Sequence, residues 1–313
     1  MKRLTTLAVI LAFVGLTTAV SPVPEAAAAA RLFVIPSAVN FGVIDASDNP
    51  AREIPLVVTL FPLPSGGREI PSPLSISLRQ PLTNQATGRA LPPSRLYIGF
   101  HPSEQPFPDE TGAIQLPLPA NRGLVVLAFG IHLLPFDPPG EYEGKLGFVD
   151  PGDGSIVEVP VELDIRQWVK IERLLDESVL TAPPEEEPGP DGYVYSGEAV
   201  MVKIMSNGSW RLTARLESDF IPRSGPGDLP IPATELFVRV VETDWVIPNA
   251  EGFVRLATSP VILATGGPTG EYGDGWVPVS LEARLPYDRN HAAGAYASHL
   301  EFGVDGLEQQ HCP

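Results

Sequence analysis

Histidine side chains are the groups in this chain best suited to acid–base catalysis or metal binding. There are five of them: His101, His132, His291, His299 and His311. None lies at the HExxH or HxH spacing of a metal centre. His132 falls in an apolar stretch and His299 on the outward face of a predicted strand, which indicates ordinary sheet positions. The pair His311–Cys312 offers a soft metal two ligands, too few for a closed site. The sequence therefore predicts no bound metal and no cofactor.

Serine and carboxylate chemistry also lacks a recognisable motif. The chain has no G-x-S-x-G element of the kind that exposes a nucleophilic serine. The stretches 45–49 and 150–153 concentrate carboxylates, but neither matches the pattern of a calcium-binding loop, so turn formation is their expected role. Asn207-Gly208-Ser209 fits a glycosylation sequon, and a tight turn before Trp210 explains the same residues. Because no nucleophile, base or metal set converges, we predict no catalytic residues and no enzymatic activity.

Aromatic side chains offer a binding surface in the second half of the chain. Trp245, Tyr272 and Trp276 lie there, the last two in the glycine-rich loop 266–276 (GGPTGEYGDGW). Exposed rings in such loops can stack on a sugar or contact a partner protein. We predict that Tyr272, Trp276 and Trp245 contact a ligand or partner. The alternative is that each tryptophan packs in its own core.

The elements that must position these residues are strands. Hydrophobic residues make up 43% of the 313 residues, enough for a core, while the 36 prolines are about twice the usual share and interrupt helices. Apolar and polar residues alternate along 157–165, 211–217 and 279–285. This alternation is typical of antiparallel strands with one face in a core. One stretch, 168–180, fits a helix or an entering strand equally well.

Two sequence matches indicate similar halves. LPPSRLYIGF at 91–100 matches LPIPATELFVRV at 229–240, and the Gly-x-Tyr element at 140–142 matches 294–296. We predict an all-β fold with two tandem immunoglobulin-like antiparallel β-sandwiches. The predicted units, called the first and second half below, are 31–167 and 168–313, the latter with an insertion around 241–277.

The opening of the first half resembles a known group of domains. The stretch 39–43 (VNFGV), followed by a polar loop and the predicted strand 54–60, is similar to the start of bacterial immunoglobulin-like domains. These are domains of the ASPM–SPD-2–Hydin type and pilus-chaperone-like sandwiches. The Gly-x-Tyr step before a late strand is also common in exported immunoglobulin-like modules. The resemblance implies a fold rather than an activity, and the second half lacks a clear Asn-Phe-Gly.

The second half is predicted to lack its final strand. After Phe148 the first half turns and adds the strand 156–165, whereas the short polar stretch 304–313 follows Phe302. An open sheet edge is a template for another chain, so it should be covered. There are three candidates for the segment that covers this edge. These are the inserted segment 252–264, the entry segment 168–175, and a strand of another subunit.

The N-terminus predicts export. Lys2 and Arg3, the apolar stretch 4–20 and the small residues up to 30 have the anatomy of a secretory signal peptide, residues 1–30, with an uncleaved anchor as the alternative. The one cysteine allows no intramolecular disulfide. A formal net charge of −17 disfavours nucleic acid and anionic lipid as partners. We expect a mature chain without a membrane span at the cell surface, in the periplasm or outside the cell.

Together these observations predict an exported, non-enzymatic structural or adhesive protein of a bacterial cell surface or extracellular matrix. It would act through protein–protein contacts, strand addition among them, or through self-association. One alternative is a carbohydrate-binding module that uses the second-half aromatics to bind a glycan. The other is a periplasmic pilus-chaperone-like protein, although a clear basic pair for anchoring a carboxylate is missing from the cleft.

Overall fold

The computed structural model describes most of the chain outside its two ends. The described residues are 31–61, 73–108, 112–117, 124–151, 154–174, 179–181, 190–195, 199–222, 230–286 and 295–307. The predicted signal peptide, residues 1–30, lies outside them, as do His291 and the His311–Cys312 pair. Within them, no helix has the length and apolar character needed to cross a membrane.

Strands dominate the described residues, whose helical elements are two short 3-10 turns, Pro93–Arg95 and Ala233–Glu235. The strands are β1 Arg31–Ile35, β2 Val39–Ile44, β3 Ala51–Phe61, β4 Leu74–Asn84, β5 Leu96–Phe100, β6 Ser103–Pro106, β7 Ala113–Leu116, β8 Leu124–His132, β9 Gly140–Val149, β10 Ile156–Ile165, β11 Val169–Arg173, β12 Val179–Thr181, β13 Tyr193–Tyr195, β14 Ala199–Ser206, β15 Trp210–Leu216, β16 Ile221–Pro222, β17 Phe237–Val240, β18 Ile247–Pro248, β19 Val254–Arg255, β20 Val261–Gly266, β21 Val277–Pro286, β22 Ala295–Ala297 and β23 Leu300–Gly306. The predicted all-β class is confirmed, and the ambiguous stretch 168–180 begins with a strand.

The first half forms two five-stranded sheets. One has the strand order β1-β3-β8-β5-β6 and the other β2-β10-β9-β4-β7. β10 runs antiparallel to β9 over ten paired residues and parallel to β2 on its other side. β10 is therefore an interior strand of its sheet.

A single buried apolar cluster lies between these two sheets. The rings of Phe41 and Phe129 meet there with centroids 5.3 Å apart. β10 contributes the alternate side chains that the sequence predicted. Val157 is half-buried, and the other four are buried: Val159, Val161, Leu163 and Ile165. Burying each such side chain stabilises the fold by about 1.5–3 kcal/mol, so β10 is a main source of stability for the first half.

A bend in β2 explains the Asn-Phe-Gly element. Gly42 has a φ of +67°, a conformation that strains side-chain-bearing residues. Its backbone N–H donates to Oδ1 of Asn40 at 2.6 Å. The pairing of β2 with β10 shifts register opposite this point, between Glu162 and Asp164. The element therefore builds a bulged edge strand.

The second half has a separate buried cluster, with Trp210 fully buried in it. One sheet has the order β11-β14-β21-β17-β19, with β13 also paired to β21. A second has the order β18-β20-β15-β23, and β12-β22-β16 form a small third sheet. The division of the chain into domains 31–167 and 168–313 stays a prediction.

Strand pairing makes most strands of the two halves equivalent. β11, β14, β21, β17 and β19 take the places of β1, β3, β8, β5 and β6, and β20 and β15 those of β7 and β4. β22 and β23 together take the place of β9, as the Gly-x-Tyr match predicts. β2 and β10 have no full-length counterpart among the described residues of the second half.

Candidate functional site

Two strands of the second half border the place that β2 and β10 take in the first half, and no other described strand pairs with their outer edges. We call this place the seam and define it by β11 (Val169–Arg173) and β23 (Leu300–Gly306). Among the described residues, β11 pairs with β14 alone and β23 with β15 alone, and the two strands lie close to each other. In the first half, β10 covers the corresponding edge of β9.

Apolar side chains line both sides of the seam. Val169 and Ile171 on β11, and Leu300 and Val304 on β23, are half-buried and pack against the second core. Leu146, the residue of β9 that matches Leu300 in the repeat, is 0% exposed, because β10 lies beside it. The seam thus combines a backbone edge with an apolar row that is incompletely covered by the described residues.

Neither intramolecular covering considered from the sequence pairs with β23. The segment 252–264 provides β19, which pairs with β17, and the start of β20, which pairs with β15 on the side away from β23. The entry segment 168–175 provides β11, which pairs with β14. Instead, Val179–Thr181 pairs with Ala295–Ala297. This unanticipated strand, β12, occupies the place that residues 162–164, near the end of β10, fill in the first half, and it does not reach β23.

Cross-strand ion pairs hold β23 against β15. Arg215 Nε donates to Oε2 of Glu301 at 2.7 Å, and Arg211 Nη2 lies 3.4 Å from Oδ2 of Asp305. Exposed pairs of this kind stabilise by up to about 1 kcal/mol each. These pairs hold β23 to β15 and do not involve the opposite edge of β23.

A buried junction joins the two halves next to the seam. The side chain of Asn207 accepts the backbone N–H of Trp168 at 2.9 Å and donates to the carbonyls of Asp137 at 3.3 Å and Arg166 at 3.1 Å. The indole N–H of Trp168 donates to the carbonyl of Pro135 at 3.0 Å. Because a buried polar group left without its partner costs about 1–3 kcal/mol, these bonds fix the start of β11 relative to the first half.

A cavity of about 770 Å³ lies beside this junction and reaches the end of β23 at Gly306. Asp164 lies in its wall, directly opposite Glu141 across β10 and β9. Burial, and secondly the negative charge of Glu141, raise the pKa of the Asp164 carboxyl above its ordinary value. The cavity wall thus carries the carboxylates of Asp164 and Glu141 together with Arg166, and it adjoins the apolar seam.

The structure brings together two of the three predicted contact residues. The rings of Trp245 and Tyr272 meet edge to face, with centroids 5.9 Å apart and an interplanar angle of 81°, and both pack against the second core. Trp276 is also half-buried. Whether Tyr272, Trp276 and Trp245 contact a ligand or partner stays a prediction.

The loop that carries Tyr272 and Trp276 contacts the first half. Gly270 and Gly275 lie so close to the side chain of Phe136 that a Cβ at either would be 2.6 or 2.4 Å from it. Phe136 in turn meets the ring of Trp168, with centroids 5.9 Å apart. The loop glycines therefore serve a close approach between the halves.

Sequence reasoning missed a second aromatic cluster in the second half. The guanidinium of Arg284 lies 4.2 Å from the ring centroid of Tyr193, 4.3 Å from that of Phe253 and 5.4 Å from that of Phe237. These residues are far apart in sequence, so no spacing could reveal the cluster. The arginine covers the rings through cation–π contacts.

Comparisons with known proteins show similarity to solved structures alone, since no family model and no curated protein matches the sequence. The chaperone–tip adhesion subunit complex of Csu pili from Acinetobacter baumannii is 10% identical, with a TM-score of 0.35, over 86% of this chain and 98% of that one. The CFA/I adhesin of enterotoxigenic E. coli is 13% identical, with a TM-score of 0.35, over 79% and 76%. A family 123 glycoside hydrolase from Clostridium perfringens is 9% identical, with a TM-score of 0.30, over 44% of this chain. The chain spans 27% of that hydrolase.

Proposed function

We propose that this protein is an exported, non-enzymatic structural or adhesive module that takes up an extended strand of a protein partner along the seam. One observation carries the proposal. Within the described residues nothing pairs with the outer edge of β23, whereas β10 pairs with every residue of the equivalent β9.

The seam has both components of strand recognition. The edge of β23 supplies backbone donors and acceptors, and half-buried side chains such as Ile171 and Val304 receive alternate side chains of an added strand. Each further CH₂ group buried there stabilises the complex by about 0.8 kcal/mol. A long edge of this kind that stayed uncovered would promote aggregation.

The strand β10 indicates the chemistry of the occupant. Its sequence, IVEVPVELDI, alternates buried apolar residues with outward-facing residues, three of which are acidic. A net charge of −17 on the whole chain would repel an acidic segment. The favoured partner segment is therefore an extended strand with alternating apolar side chains and basic residues between them.

A labelled peptide, IVKVPVKLKI, tests the proposal by fluorescence anisotropy. This peptide is the β10 sequence with Glu158, Glu162 and Asp164 replaced by lysine, and we expect saturable binding. A scrambled peptide of the same composition, without the alternation, controls for charge and should bind at least tenfold more weakly. Val304→Lys places a charge in the apolar row and should weaken binding at least tenfold. Val126→Lys alters an exposed valine of β8 outside the seam and should bind as the wild type does.

Equal binding of the two peptides, or equal binding by the wild type and Val304→Lys, would contradict strand uptake at the seam. Mass photometry of the protein alone then distinguishes the partners. Oligomers of many lengths would indicate that a second copy of this chain supplies the strand, and a monomer would indicate a different protein.

A further inference from the structure

Three side chains of metal-ligating types meet on the outer face of the first half. They belong to a sheet that contains neither of the seam strands, β11 and β23. One ligand atom from each of Glu53, His101 and Glu104 lies within 4.8 Å of the other two. Glu53 belongs to β3, His101 follows β5, and Glu104 belongs to β6. Nδ1 of His101 and Oε1 of Glu104 are 2.8 Å apart. Two carboxylates and an imidazole thus converge from separate strands.

A tyrosine from a neighbouring strand is directed toward the same place. Glu53 on β3 is paired with Gly130 on β8, and Gly130 is paired with Tyr97 on β5. Since Gly130 has no side chain, the Tyr97 ring lies across it, and a Cβ at Gly130 would be 2.3 Å from the phenol oxygen. The hydroxyl therefore projects from β5 across β8 toward the strand of Glu53.

The neighbour of Glu53 does not neutralise this cluster. The guanidinium of Arg52 donates to the carbonyls of Phe41 and Val43.

We propose that Glu53, His101 and Glu104 bind a divalent transition-metal ion such as Zn²⁺, with water in the remaining position. Ligand bonds of about 2.0–2.2 Å to zinc place tetrahedral ligand atoms about 3.3–3.6 Å apart. Small side-chain rotations bring atoms that lie within 4.8 Å of one another to that spacing. Imidazole favours zinc, nickel or copper over calcium and magnesium, which need six or more oxygen ligands.

The bound ion replaces the hydrogen bond between His101 and Glu104. An imidazole must be free of a proton on the nitrogen that binds a metal, and the ion then holds the two side chains together in place of that hydrogen bond. The ion would join β3 to the β5–β6 hairpin, strands that are separated by β8 in the sheet. Binding to the folded state alone raises its stability.

Isothermal titration with Zn²⁺ tests the proposal, in a His311→Ala/Cys312→Ser background that removes the two candidate ligands of the tail. We expect one ion per chain, a higher melting temperature with zinc, and no comparable binding of Mg²⁺. His101→Ala and Glu53→Gln should each weaken zinc binding at least tenfold and abolish the thermal shift. His132→Ala, which removes an exposed imidazole at the end of β8, should bind zinc as the background does.

The outcome that overturns the proposal is zinc binding of unchanged affinity in His101→Ala or Glu53→Gln, because zinc would then be held elsewhere. The absence of zinc binding in the background protein overturns it as well. The side chain of His101 is 78% exposed, so the variant should fold with an unchanged melting temperature in the absence of zinc.

Discussion

The two halves of the chain build equivalent sheets from equivalent strands, but they close those sheets differently. In the first half, β9 lies between β4 and β10, while in the second β23 lies beside β15 alone within the described residues. Leu146 on β9 is therefore fully buried and Leu300 on β23 half-buried, although the repeat places them at the same position. Alternation thus specifies a strand, whereas the neighbouring strand sets how deeply its side chains are buried.

The largest expected effect is a difference in stability between alanine variants of these two leucines. Leu146→Ala should lower the free energy of unfolding by about 2–5 kcal/mol because it leaves a cavity in a packed core. Leu300→Ala should cost about 1 kcal/mol, since much of that side chain already contacts solvent. Urea denaturation of both variants measures the difference. Equal losses would show that the seam is covered in the free protein.

A smaller effect is expected where the halves join. Asn207→Ala removes the buried partner of Trp168, Asp137 and Arg166, and should cost about 1–3 kcal/mol. It should also separate the unfolding of the two halves, detected as faster limited proteolysis near residues 166–168. Asn249→Ala, at an exposed position, is the matched control. Unchanged proteolysis in Asn207→Ala would mean that the aromatic contacts of Phe136 suffice to hold the junction.

The stability of the first half should also depend on pH through a buried tyrosine. Burial raises the pKa of Tyr142 above its ordinary value of 10.0, the charge of Asp137 adds to this, and a hydrogen bond with Asn84 opposes it. A raised folded-state pKa stabilises the fold below pH 10, and this contribution is lost as the pH rises through the folded-state pKa.

Tyr142→Phe tests this dependence. The variant should be about 1 kcal/mol less stable at neutral pH, because it loses the 2.8 Å hydrogen bond from the hydroxyl to the Pro138 carbonyl. Its free energy of unfolding should then fall less steeply above pH 10 than that of the wild type. Denaturation at a series of alkaline pH values provides the measurement. Parallel curves would assign the dependence to other groups, among them Tyr97.

The smallest difference is expected at the exposed ion pairs. Arg215→Ala in the second half and Lys145→Ala in the first, where Nζ of Lys145 lies 3.1 Å from Glu158, should each cost less than about 1 kcal/mol. Both losses should vanish in 1 M salt, which screens exposed charges. A larger, salt-resistant loss for Arg215→Ala would show that the open strand depends on this pair to stay in its sheet.

The strands themselves were predictable from the sequence. The alternating stretches 157–165, 211–217 and 279–285 overlap β10, β15 and β21 almost completely. The match between 91–100 and 229–240 corresponds to a 3-10 turn followed by a strand in both halves. Alternation is a local signal, since successive side chains of a strand point to opposite faces wherever the strand lies. The same comparison of the halves predicted that β10 has no counterpart after Phe302, and the described residues contain no full-length one.

Local patterns in the sequence therefore predict the all-β class and the succession of strands along the chain, whereas the edges that meet are set by the whole fold. The pairing of β12 with β22, the contact of Phe136 with two loop glycines, and the meeting of Glu53 with His101 join residues without a shared local pattern. Such contacts depend on the order of strands in a sheet and on the space left by residues such as Gly130. Strand order and free space are properties of the whole fold, because a strand's alternation is the same beside any neighbour.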